Sequence, residues 1–374
     1  MNKIDIVKQN VIEILGEDEL SKMLETNEPL RHYIGYEISG QLHLGNGILA
    51  MLVVRDLQKV GVKCSVFLAD WHTWINDKLG GDHDFIQEAA EKYFKPAMEV
   101  SAKIAGANSS DINFIHGTKL YSESKNYWEQ VIEVSKNLTL SRVMKSTTIM
   151  GRKEEMSQPF AWLIYPPMQV ADIFEMGLNI AHAGMDQRKI HVIAREVATS
   201  LNINPLRNSK GEKIKPIAIH HRLILGLQPP KTWPIRENLK KDTIRSEMKM
   251  SKSIPGSAIF VNDSEIEIRN KIDKAFCPMG EIELNPIFDW IKSLILPIVG
   301  EFTINREERH GGDVHVKNID ELEEMYLSNN IHPLDLKRSV ADILVEILKP
   351  GRERFKDKES RKIIEKIKNI REKR

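Results

Sequence analysis

The sequence predicts an α/β fold in which a doubly wound, Rossmann-like parallel sheet is followed by an all-helical C-terminal domain. Short apolar runs alternate with helical patterns through the first part of the chain, and this alternation is typical of a parallel sheet covered by helices. After about residue 264 the helical pattern continues with few strand signals. Because 374 residues can form more than one core, we predict two domains, over residues 1–263 and 264–374.

The first predicted elements form a βαβ unit. Residues 4–26 have the spacing of an amphipathic helix, and residues 30–37 have that of a strand ending at a glycine turn. A helix is predicted over 47–60, and the apolar run 62–69 indicates a buried strand. Further helices are predicted at 83–105 and 124–150, and further strands at 112–115, 179–183 and 216–220.

A polar, irregular stretch over residues 226–247 interrupts the alternation. It contains Gln-Pro-Pro and Trp-Pro turns, which predict a surface insertion. The insertion leads into a loop with two lysines, residues 249–253, and a short strand is predicted after it, over 258–261.

Charge and cysteine content narrow the classes of function. With 54 basic and 53 acidic side chains the net charge is +1, so no global charge signals nucleic-acid binding. Residues 349–374 carry 12 Lys and Arg against 5 Asp and Glu, which fits either phosphate contacts or a solvated helix face.

Cys64 and Cys277 lie in apolar surroundings, which argues against disulfides and zinc and for a reducing compartment. With no targeting segment and no membrane-length apolar run, we expect a cytoplasmic protein.

Two separated motifs indicate chemistry on ATP. In the glycine-spaced motif over residues 39–47, His43 precedes Gly45 at a predicted helix start, where backbone donors can approach phosphates. The second motif is Lys-Met-Ser-Lys-Ser at 249–253, and a flexible lysine is a mobile charge suited to a pyrophosphate leaving group. Taken alone, the first also fits an ordinary loop histidine and the second a solvated surface loop.

Together these motifs resemble the two ATP-binding motifs of class I aminoacyl-tRNA synthetases. The resemblance implies that His43 stabilises the transition state at the α-phosphate and that the two lysines move toward the phosphates as the loop closes. Asn46 replaces the second histidine of the first motif, and its amide can donate a hydrogen bond but cannot become cationic. Catalytic roles are therefore expected for His43, Asn46, Lys249 and Lys252, and ATP binding for Gly45, Ser251 and Ser253.

The segment over residues 165–172 is the predicted amino-acid pocket. Its two prolines fit the first turn of a helix. Gln169 and Asp172 are then three residues apart and share one face with core-like neighbours. A polar pair buried there without a partner would be costly, which favours a polar ligand, although an ordinary amphipathic helix has the same pattern.

This segment, together with residues 33–37 and 185–191, resembles the tyrosyl-tRNA synthetases of the archaeal and eukaryotic branch. The resemblance implies that Tyr33 and Asp172 bond the phenolic hydroxyl of a tyrosine substrate. It also implies that Glu37 lines the same cleft and that the ammonium group is held by Tyr165, Gln169 and Gln187.

Two further polar residues follow the second predicted strand, at the edge of the sheet where ligands of doubly wound folds bind. His72 is expected either to face ATP or to pack behind the site. Asp70 fits a functional or a structural role.

Residues 309–313 and 331–337 resemble anticodon-reading elements of archaeal tyrosyl enzymes. His332 and Asp335 suit stacking and edge contacts with unstacked loop bases, although a histidine before a proline also fits an ordinary helix start. A histidine at position 310 stands where the family pattern has a phenyl ring, and it can still stack. The predicted tRNA-binding residues are Arg188, His310, His332 and Asp335.

The resemblance extends from about residue 4 to residue 355 and implies a two-step enzyme. Tyrosine and Mg-ATP give tyrosyl-AMP, and tyrosine then passes to the 3′-terminal adenosine of tRNA(Tyr). Mg²⁺ is expected to arrive with ATP, without a metal site on the protein. A homodimer is also implied, with residues 110–150 at its interface.

Three alternatives compete with this interpretation. A tryptophanyl synthetase has the same fold, but Tyr33 and Asp172 disfavour it because an indole offers a single donor whereas a phenol donates and accepts. A non-catalytic tRNA-binding paralogue would usually lack the lysine loop. A small nucleotidyltransferase would not need a helical domain of this size.

Overall fold

The fold is built around a six-stranded sheet. The structure is a computed structural model that describes residues 2–26, 28–151, 158–234, 241–252, 254 and 256–370. The strands are β1 (Glu13–Leu15), β2 (Arg31–Tyr36), β3 (Lys63–Leu68), β4 (Ile112–His116), β5 (Ile180–Gly184) and β6 (Ile217–His221). They lie in the order β1-β6-β5-β2-β3-β4, with β1 antiparallel to β6 and the other pairs parallel. The chain winds outward in both directions from β2 and β5, which confirms the doubly wound prediction and opens a crevice at their carboxyl ends.

Helices cover both faces of this sheet. The neighbouring residues Tyr33 and Ile34 of β2 belong to different apolar clusters, as expected when successive side chains of a strand point to opposite faces. The helices before residue 264 are α1 (Lys3–Lys8), α2 (Glu17–Glu25), α3 (Ala50–Lys59), α4 (Asp70–Ile75), α5 (His83–Ala89), α6 (Lys95–Ala105), α7 (Gly117–Glu123), α8 (Tyr127–Lys136), α9 (Leu140–Ser146), α10 (Phe160–Glu175), α11 (Arg188–Val197) and α12 (Lys241–Glu247). None of the helices formed by the described residues is both long and apolar enough to cross a bilayer.

The predicted helix over residues 4–26 is wrong in its middle. The chain forms α1 and α2 with β1 between them, because residues 13–15 pair with β6 at the edge of the sheet. Gly16 then starts α2 from a left-handed conformation with φ of 94°, which favours glycine. Amphipathic spacing around a three-residue edge strand concealed this break.

The predicted helix over residues 124–150 is wrong as a single element. The chain there forms α8 and α9, followed by a 3₁₀ turn at Thr147–Met150. α9 has its own N-cap, because the Thr139 hydroxyl accepts a hydrogen bond of 3.2 Å from the N–H of Arg142. The prediction over 83–105 is confirmed, since a π-helical turn at Ala90–Phe94 joins α5 to α6.

The C-terminal region is helical as predicted, with one exception. β7 (Phe302–Ile304) and β8 (Val314–Val316) form an antiparallel hairpin, so the region is not entirely helical. Each strand has three residues, too few for an alternating pattern to stand out in the sequence. The helices of this region are α13 (Glu265–Asp273), α14 (Pro286–Trp290), α15 (Leu296–Val299), α16 (Ile319–Leu327), α17 (Pro333–Ile347), α18 (Lys349–Arg354) and α19 (Lys358–Asn369). Their apolar side chains join the cluster on one face of the sheet, and the boundary near residue 264 remains a prediction.

A clamped segment joins the helical region to the histidine motif. Instead of the predicted strand, residues 258–261 make an isolated antiparallel pairing with residues 42–44, held by backbone hydrogen bonds of 3.0 and 3.1 Å. On the other side of the segment, Gly351 of α18 packs so closely that a Cβ there would overlap the carbonyl oxygen of Val261. The segment is therefore held between two parts of the chain that are distant in sequence.

The predicted surface insertion is described in part. Residues 226–234 form neither helix nor strand, and α12 covers Lys241–Glu247. Residues 235–240 lie outside the described part of the chain.

Candidate active site

A cleft of about 330 Å³ opens at the carboxyl ends of β2, β5 and β6. It brings together most of the residues predicted to act on ATP and tyrosine, namely Tyr33, Glu37, His43, Gly45, Asn46, Tyr165, Gln169, Asp172, Gln187, Lys249, Ser251 and Lys252. Ser253 lies outside the described residues. We call the part lined by Tyr33, Glu37, Tyr165, Gln169 and Asp172 the inner half, and the part lined by His43, Asn46, Asp186, Lys249 and Lys252 the outer half.

Asp172 is the buried acid of the inner half. It lies on α10 and is 1% exposed. Its Oδ1 accepts hydrogen bonds from the hydroxyl of Tyr121 at 3.0 Å and from that of Tyr127 at 2.8 Å. The two tyrosine rings stack with centroids 4.1 Å apart. Sequence reasoning did not identify these two tyrosines, although their position just after β4, at the ligand edge of the sheet, is a usable signal.

Burial sets the charge of Asp172. Desolvation raises the pKa of its carboxyl to about 8, because the two tyrosine hydrogen bonds offset only part of the cost of burying the charge. Its other oxygen, Oδ2, lies 3.6 Å from Nε2 of His72. Tyr33 lines the same pocket, and burial next to Asp172 raises the pKa of its hydroxyl, which stays protonated. The inner half therefore offers a phenol and an acid that can each exchange hydrogen bonds with a buried hydroxyl.

Glu37 accepts two hydrogen bonds through one oxygen. Oε1 receives the Asn76 amide at 2.8 Å and the Tyr165 hydroxyl at 2.9 Å. Burial raises the pKa of the Glu37 carboxyl. Tyr165, predicted to hold an ammonium group, thus donates a hydrogen bond to Glu37. Its hydroxyl oxygen keeps lone pairs with which it can accept a hydrogen bond from a ligand.

Gln169 leaves an acceptor open in the inner half. Its Nε2 donates to Oε1 of Gln187 at 3.4 Å, and Nε2 of Gln187 donates to the carbonyl of Ile149 at 2.9 Å. Oε1 of Gln169 is buried and has no hydrogen-bond partner in the described part of the chain. A buried acceptor without a donor is costly, so this atom points to a ligand N–H.

The histidine motif folds into a self-bonded turn. Nδ1 of His43 accepts the backbone N–H groups of Gly45 at 3.2 Å and Asn46 at 3.3 Å, and Oδ1 of Asn46 accepts the backbone N–H of His43 at 2.9 Å. Burial and the two loop lysines lower the pKa of His43 to about 3, so the ring is neutral. With Nδ1 accepting, its proton lies on Nε2. A π-helical turn at Gly45–Leu49 then leads into α3.

The lysine loop rests on the outer half through polar contacts. Its backbone is fixed by a hydrogen bond from the N–H of Met250 to the carbonyl of Ile224, at 2.8 Å. Lys249 pairs with Asp186 at 3.1 Å, and both side chains are about two-fifths exposed. Lys252 donates to the hydroxyl of Ser39 at the start of the histidine motif. Two lysine side chains with polar partners are therefore held beside the neutral His43 ring.

Comparison with known proteins identifies the family. A family profile described as tRNA synthetases class I (W and Y) matches residues 25–349. The chain belongs to this family. A tyrosine–tRNA ligase of Pyrococcus abyssi is 51% identical over 351 residues, which are 94% of this chain and 93% of that protein. The crystal structure of a tyrosyl-tRNA synthetase from Pyrococcus horikoshii, complexed with L-tyrosine, is 47% identical and has a TM-score of 0.94 over 99% of this chain and 100% of that chain. A tyrosyl-tRNA synthetase structure from Aeropyrum pernix is 37% identical, with a TM-score of 0.79 over 98% of both chains.

In this synthetase, Asp70 and His72 occupy different places. Asp70 is buried and accepts the backbone N–H of Thr118 at 2.9 Å, so its carboxylate holds the start of α7. A Cβ on Gly117 would lie 2.5 Å from the same oxygen, which explains a glycine at that position. His72 lines the inner half beside Asp172, and burial lowers its pKa to about 3. It lies with the acid of the inner half and not with the lysines of the outer half.

The predicted tRNA-binding residues of the synthetase lie outside the cleft. Arg188, at the start of α11, makes hydrogen bonds of 2.8 and 2.9 Å to the carboxylate of Glu13. His332 is the N-cap of α17, because its Nδ1 accepts the N–H of Leu334 at 3.2 Å. Asp335 lies in the first turn of the same helix, and His310 is exposed in a 3₁₀ turn.

Proposed function

We infer that the chain is a tyrosine–tRNA ligase. The observation that carries this conclusion is the inner half of the cleft. There Tyr33 and Asp172, which accepts two hydrogen bonds, line a cavity that is also lined by Gln169, whose buried Oε1 has no partner among the described residues. Asp172 can bind a phenolic hydroxyl and Gln169 can bind an ammonium group. These two groups lie at opposite ends of tyrosine.

Discrimination against phenylalanine follows from burial. A site built to bond a hydroxyl rejects the analogue that lacks it, and tyrosyl enzymes are the established example of this principle. With phenylalanine bound, Tyr33 and Asp172 would be desolvated without the hydrogen bonds that the phenolic hydroxyl supplies, although Asp172 would keep those from Tyr121 and Tyr127. Tyr165 and Gln187 complete the ammonium side, with Glu37 behind Tyr165.

The outer half supports the activation step. The tyrosine carboxylate attacks the α-phosphorus of ATP, a bond forms between that oxygen and phosphorus, and the bond to the β-phosphate oxygen breaks as pyrophosphate leaves. The Nε2–H of His43 and the amide of Asn46 would donate to the α-phosphate, where charge develops. Lys249 and Lys252 would leave Asp186 and Ser39 to neutralise the departing pyrophosphate, with Ser251, Ser253 and the Gly45 backbone also contacting ATP. Mg²⁺ would arrive bound to the phosphates of ATP.

Transfer completes the reaction. A hydroxyl of the terminal ribose of tRNA(Tyr) attacks the tyrosyl carbonyl, the new ester bond forms, and AMP leaves with the electrons of the broken anhydride bond. No protein nucleophile is needed, so catalysis consists of positioning and electrostatic stabilisation.

The helical region would recognise the anticodon through His310, His332 and Asp335, with Arg188 contacting tRNA elsewhere. Because His332 caps α17, its ring could serve the helix alone. His332→Asn keeps a capping oxygen and removes the ring, so it should lower kcat/KM for tRNA about tenfold or more while leaving amino-acid activation intact. A loss seen with His332→Ala but not with His332→Asn would assign the ring to capping.

A homodimer formed through residues 110–150 is also part of the proposal. Trp128 and Ile132, one turn apart on α8, and Leu140 on α9 are 46%, 59% and 63% exposed, and a contiguous exposed apolar patch marks a protein interface. The two free cysteines fit a cytoplasmic location.

The decisive experiment is ATP–pyrophosphate exchange with each of the twenty amino acids in turn. Exchange should depend on tyrosine. Exchange with tryptophan alone would favour the tryptophanyl alternative, and exchange with none would contradict the activation mechanism.

A further inference from the structure

Three buried histidines are linked in a row across the sheet and end at the cleft. They are His32 on β2, His182 on β5 and His221 on β6, and we call them the histidine row. Nε2 of His32 lies 3.1 Å from Nδ1 of His182, and Nε2 of His182 lies 2.8 Å from Nδ1 of His221. His32 and His182 are fully buried, whereas His221 lines the cleft.

The strand register explains how the row reaches the ligand edge. His182 is level with Ile34 of β2, two residues beyond His32, and His221 is level with Gly184, two residues beyond His182. Steps of two residues keep all three rings on one face. The row therefore climbs toward the carboxyl ends of the strands as it crosses the sheet.

Only one arrangement of protons suits the row. Burial lowers the pKa of all three rings, to about 3 for His32 and about 4 for His221, so each is neutral with a single N–H. Nδ1 of His32 has no hydrogen-bond partner in the described part of the chain. If His32 donates through Nε2, the unpartnered atom is a lone pair, whereas the reverse direction would bury an N–H without an acceptor. The row then runs from His32 to His221 and leaves the proton of His221 on Nε2.

The Nε2 atom of His221 and an acceptor of the outer half, Asp186, both approach Gly184. The position that a Cβ would occupy on Gly184 is 3.5 Å from Nε2 of His221 and 2.9 Å from Oδ1 of Asp186. The Nε2 of His221 and a carboxylate oxygen of Asp186 therefore lie within 3.5 Å of one common point at the carboxyl ends of β5 and β6, so a single small group there can reach both. This pair matches a vicinal diol, in which one hydroxyl accepts and the other donates, while a phosphate would be repelled by Asp186.

We propose that His221 donates a hydrogen bond to a ribose hydroxyl of ATP, and that His182 and His32 are positioning residues that fix its proton on Nε2. The inference rests on the proposed nucleotide site. It assigns a role to three side chains that the activation mechanism does not use.

The row can first be tested in the unmodified protein. Long-range ¹H–¹⁵N spectra of ¹⁵N-histidine-labelled enzyme, with His221→Gln as the assignment control, should show His221 protonated at Nε2 and not at Nδ1 at neutral pH. A proton on Nδ1 of His221, or a cationic ring, in the unmodified protein would overturn the inference.

Kinetics test the ligand. His221→Leu should raise KM for ATP about five- to tenfold in pyrophosphate exchange, the size of one hydrogen bond, and leave tyrosine affinity unchanged. His221→Gln, which keeps an N–H at the same reach, should recover most of the loss. With 2′-deoxy-ATP or 3′-deoxy-ATP the penalty of His221→Leu should vanish for the analogue that lacks the bonded hydroxyl. An equal penalty on ATP and on both analogues would contradict the ribose contact.

The positioning role needs a cycle of variants. His182→Leu should raise KM for ATP about threefold alone and add nothing in the His221→Leu background, because it acts only through His221. Additive losses would reduce His182 to a packing residue. The matched control is His191→Leu, an equally buried histidine paired with His220 on the other face of β6, which should leave KM for ATP unchanged. If Lys249→Ala and Lys252→Ala abolish exchange while His221→Leu keeps the normal KM, the nucleotide site stands and only this inference fails.

Discussion

The inner and outer halves of the cleft use polar groups in opposite ways. In the inner half, Asp172 is 1% exposed and already bonded by two tyrosines, and Glu37 is bonded by Asn76 and Tyr165. In the outer half, Lys249 is 41% exposed and forms an ion pair with Asp186, which is 40% exposed. A buried group with fixed partners can discriminate between bound substrates in the ground state. An exposed lysine can instead move toward negative charge that develops only during the reaction. In the proposed function, the cleft thus separates recognition of the amino acid from stabilisation of the leaving group.

Removing both loop lysines should impair the outer half alone. Of the changes proposed, it should slow the reaction most. The double variant Lys249→Ala/Lys252→Ala should slow formation of tyrosyl-AMP by about a thousandfold, because in the proposed mechanism each charge stabilises departing pyrophosphate. Tyrosine affinity should stay within about twofold of the unmodified enzyme. Rapid-quench measurement of adenylate formation and equilibrium dialysis of tyrosine separate the two, and a large loss of tyrosine affinity would refute the division between the halves.

Asp172→Asn should break the inner half without touching the lysines. The side chain keeps its shape but presents an amide in place of the carboxyl group that bonds the substrate hydroxyl, so the ratio of kcat/KM for tyrosine over phenylalanine should fall about a hundredfold. Adenylate formation at saturating tyrosine should change much less. An unchanged ratio would mean that the hydroxyl is bound elsewhere.

Tyr127→Phe removes one hydrogen-bond partner of Asp172 and leaves the acid itself in place. The variant removes the 2.8 Å hydrogen bond to Oδ1, and the tyrosine-to-phenylalanine ratio should fall about three- to tenfold. Tyr121→Phe should act similarly, and the pair together should approach the effect of Asp172→Asn. Tyr326→Phe, which removes an equally buried hydroxyl far from the cleft, is the matched control and should not change the ratio.

The raised pKa of Asp172 should also make the free energy of unfolding of the unliganded enzyme depend on pH. This effect is the smallest of those expected. The pKa of Asp172 is about 8 when folded and 3.8 ordinarily, so between these values the folded chain holds a proton that the unfolded chain has lost. The contribution of Asp172 to stability is therefore present at low pH and lost as pH rises toward 8. Asn does not titrate, so the stability advantage of Asp172→Asn should grow by about 1 kcal/mol between pH 6 and pH 7. Denaturant unfolding at both pH values measures it, and an advantage that shrinks with rising pH would contradict the raised pKa.

Sequence patterns located the parts of the cleft better than its internal bonds. Periodicity and the glycine turn placed β2 and α3, and the two motifs placed His43 and the lysine loop, because these depend on local spacing. The contacts of Asp172 with Tyr121 and Tyr127 join residues 45 or more positions apart, and no local pattern encodes such pairs. The edge strand β1 and the hairpin of β7 and β8 were missed for a related reason, since three-residue strands are fixed by their partners and not by their own period.

The segment over residues 258–261, held between the histidine motif and Gly351, also limits how this enzyme can be redesigned. The lysine loop has one end tied to Ile224 and the other entering this clamped segment. Insertions or library mutations placed at residues 251–257 can change the reach of the lysines, whereas any side chain at position 351 would push the backbone that supports His43. Substitutions on a helix of the C-terminal region would in that case lower adenylate formation without contacting either substrate, and a directed-evolution campaign should keep Gly351 invariant while it varies the loop.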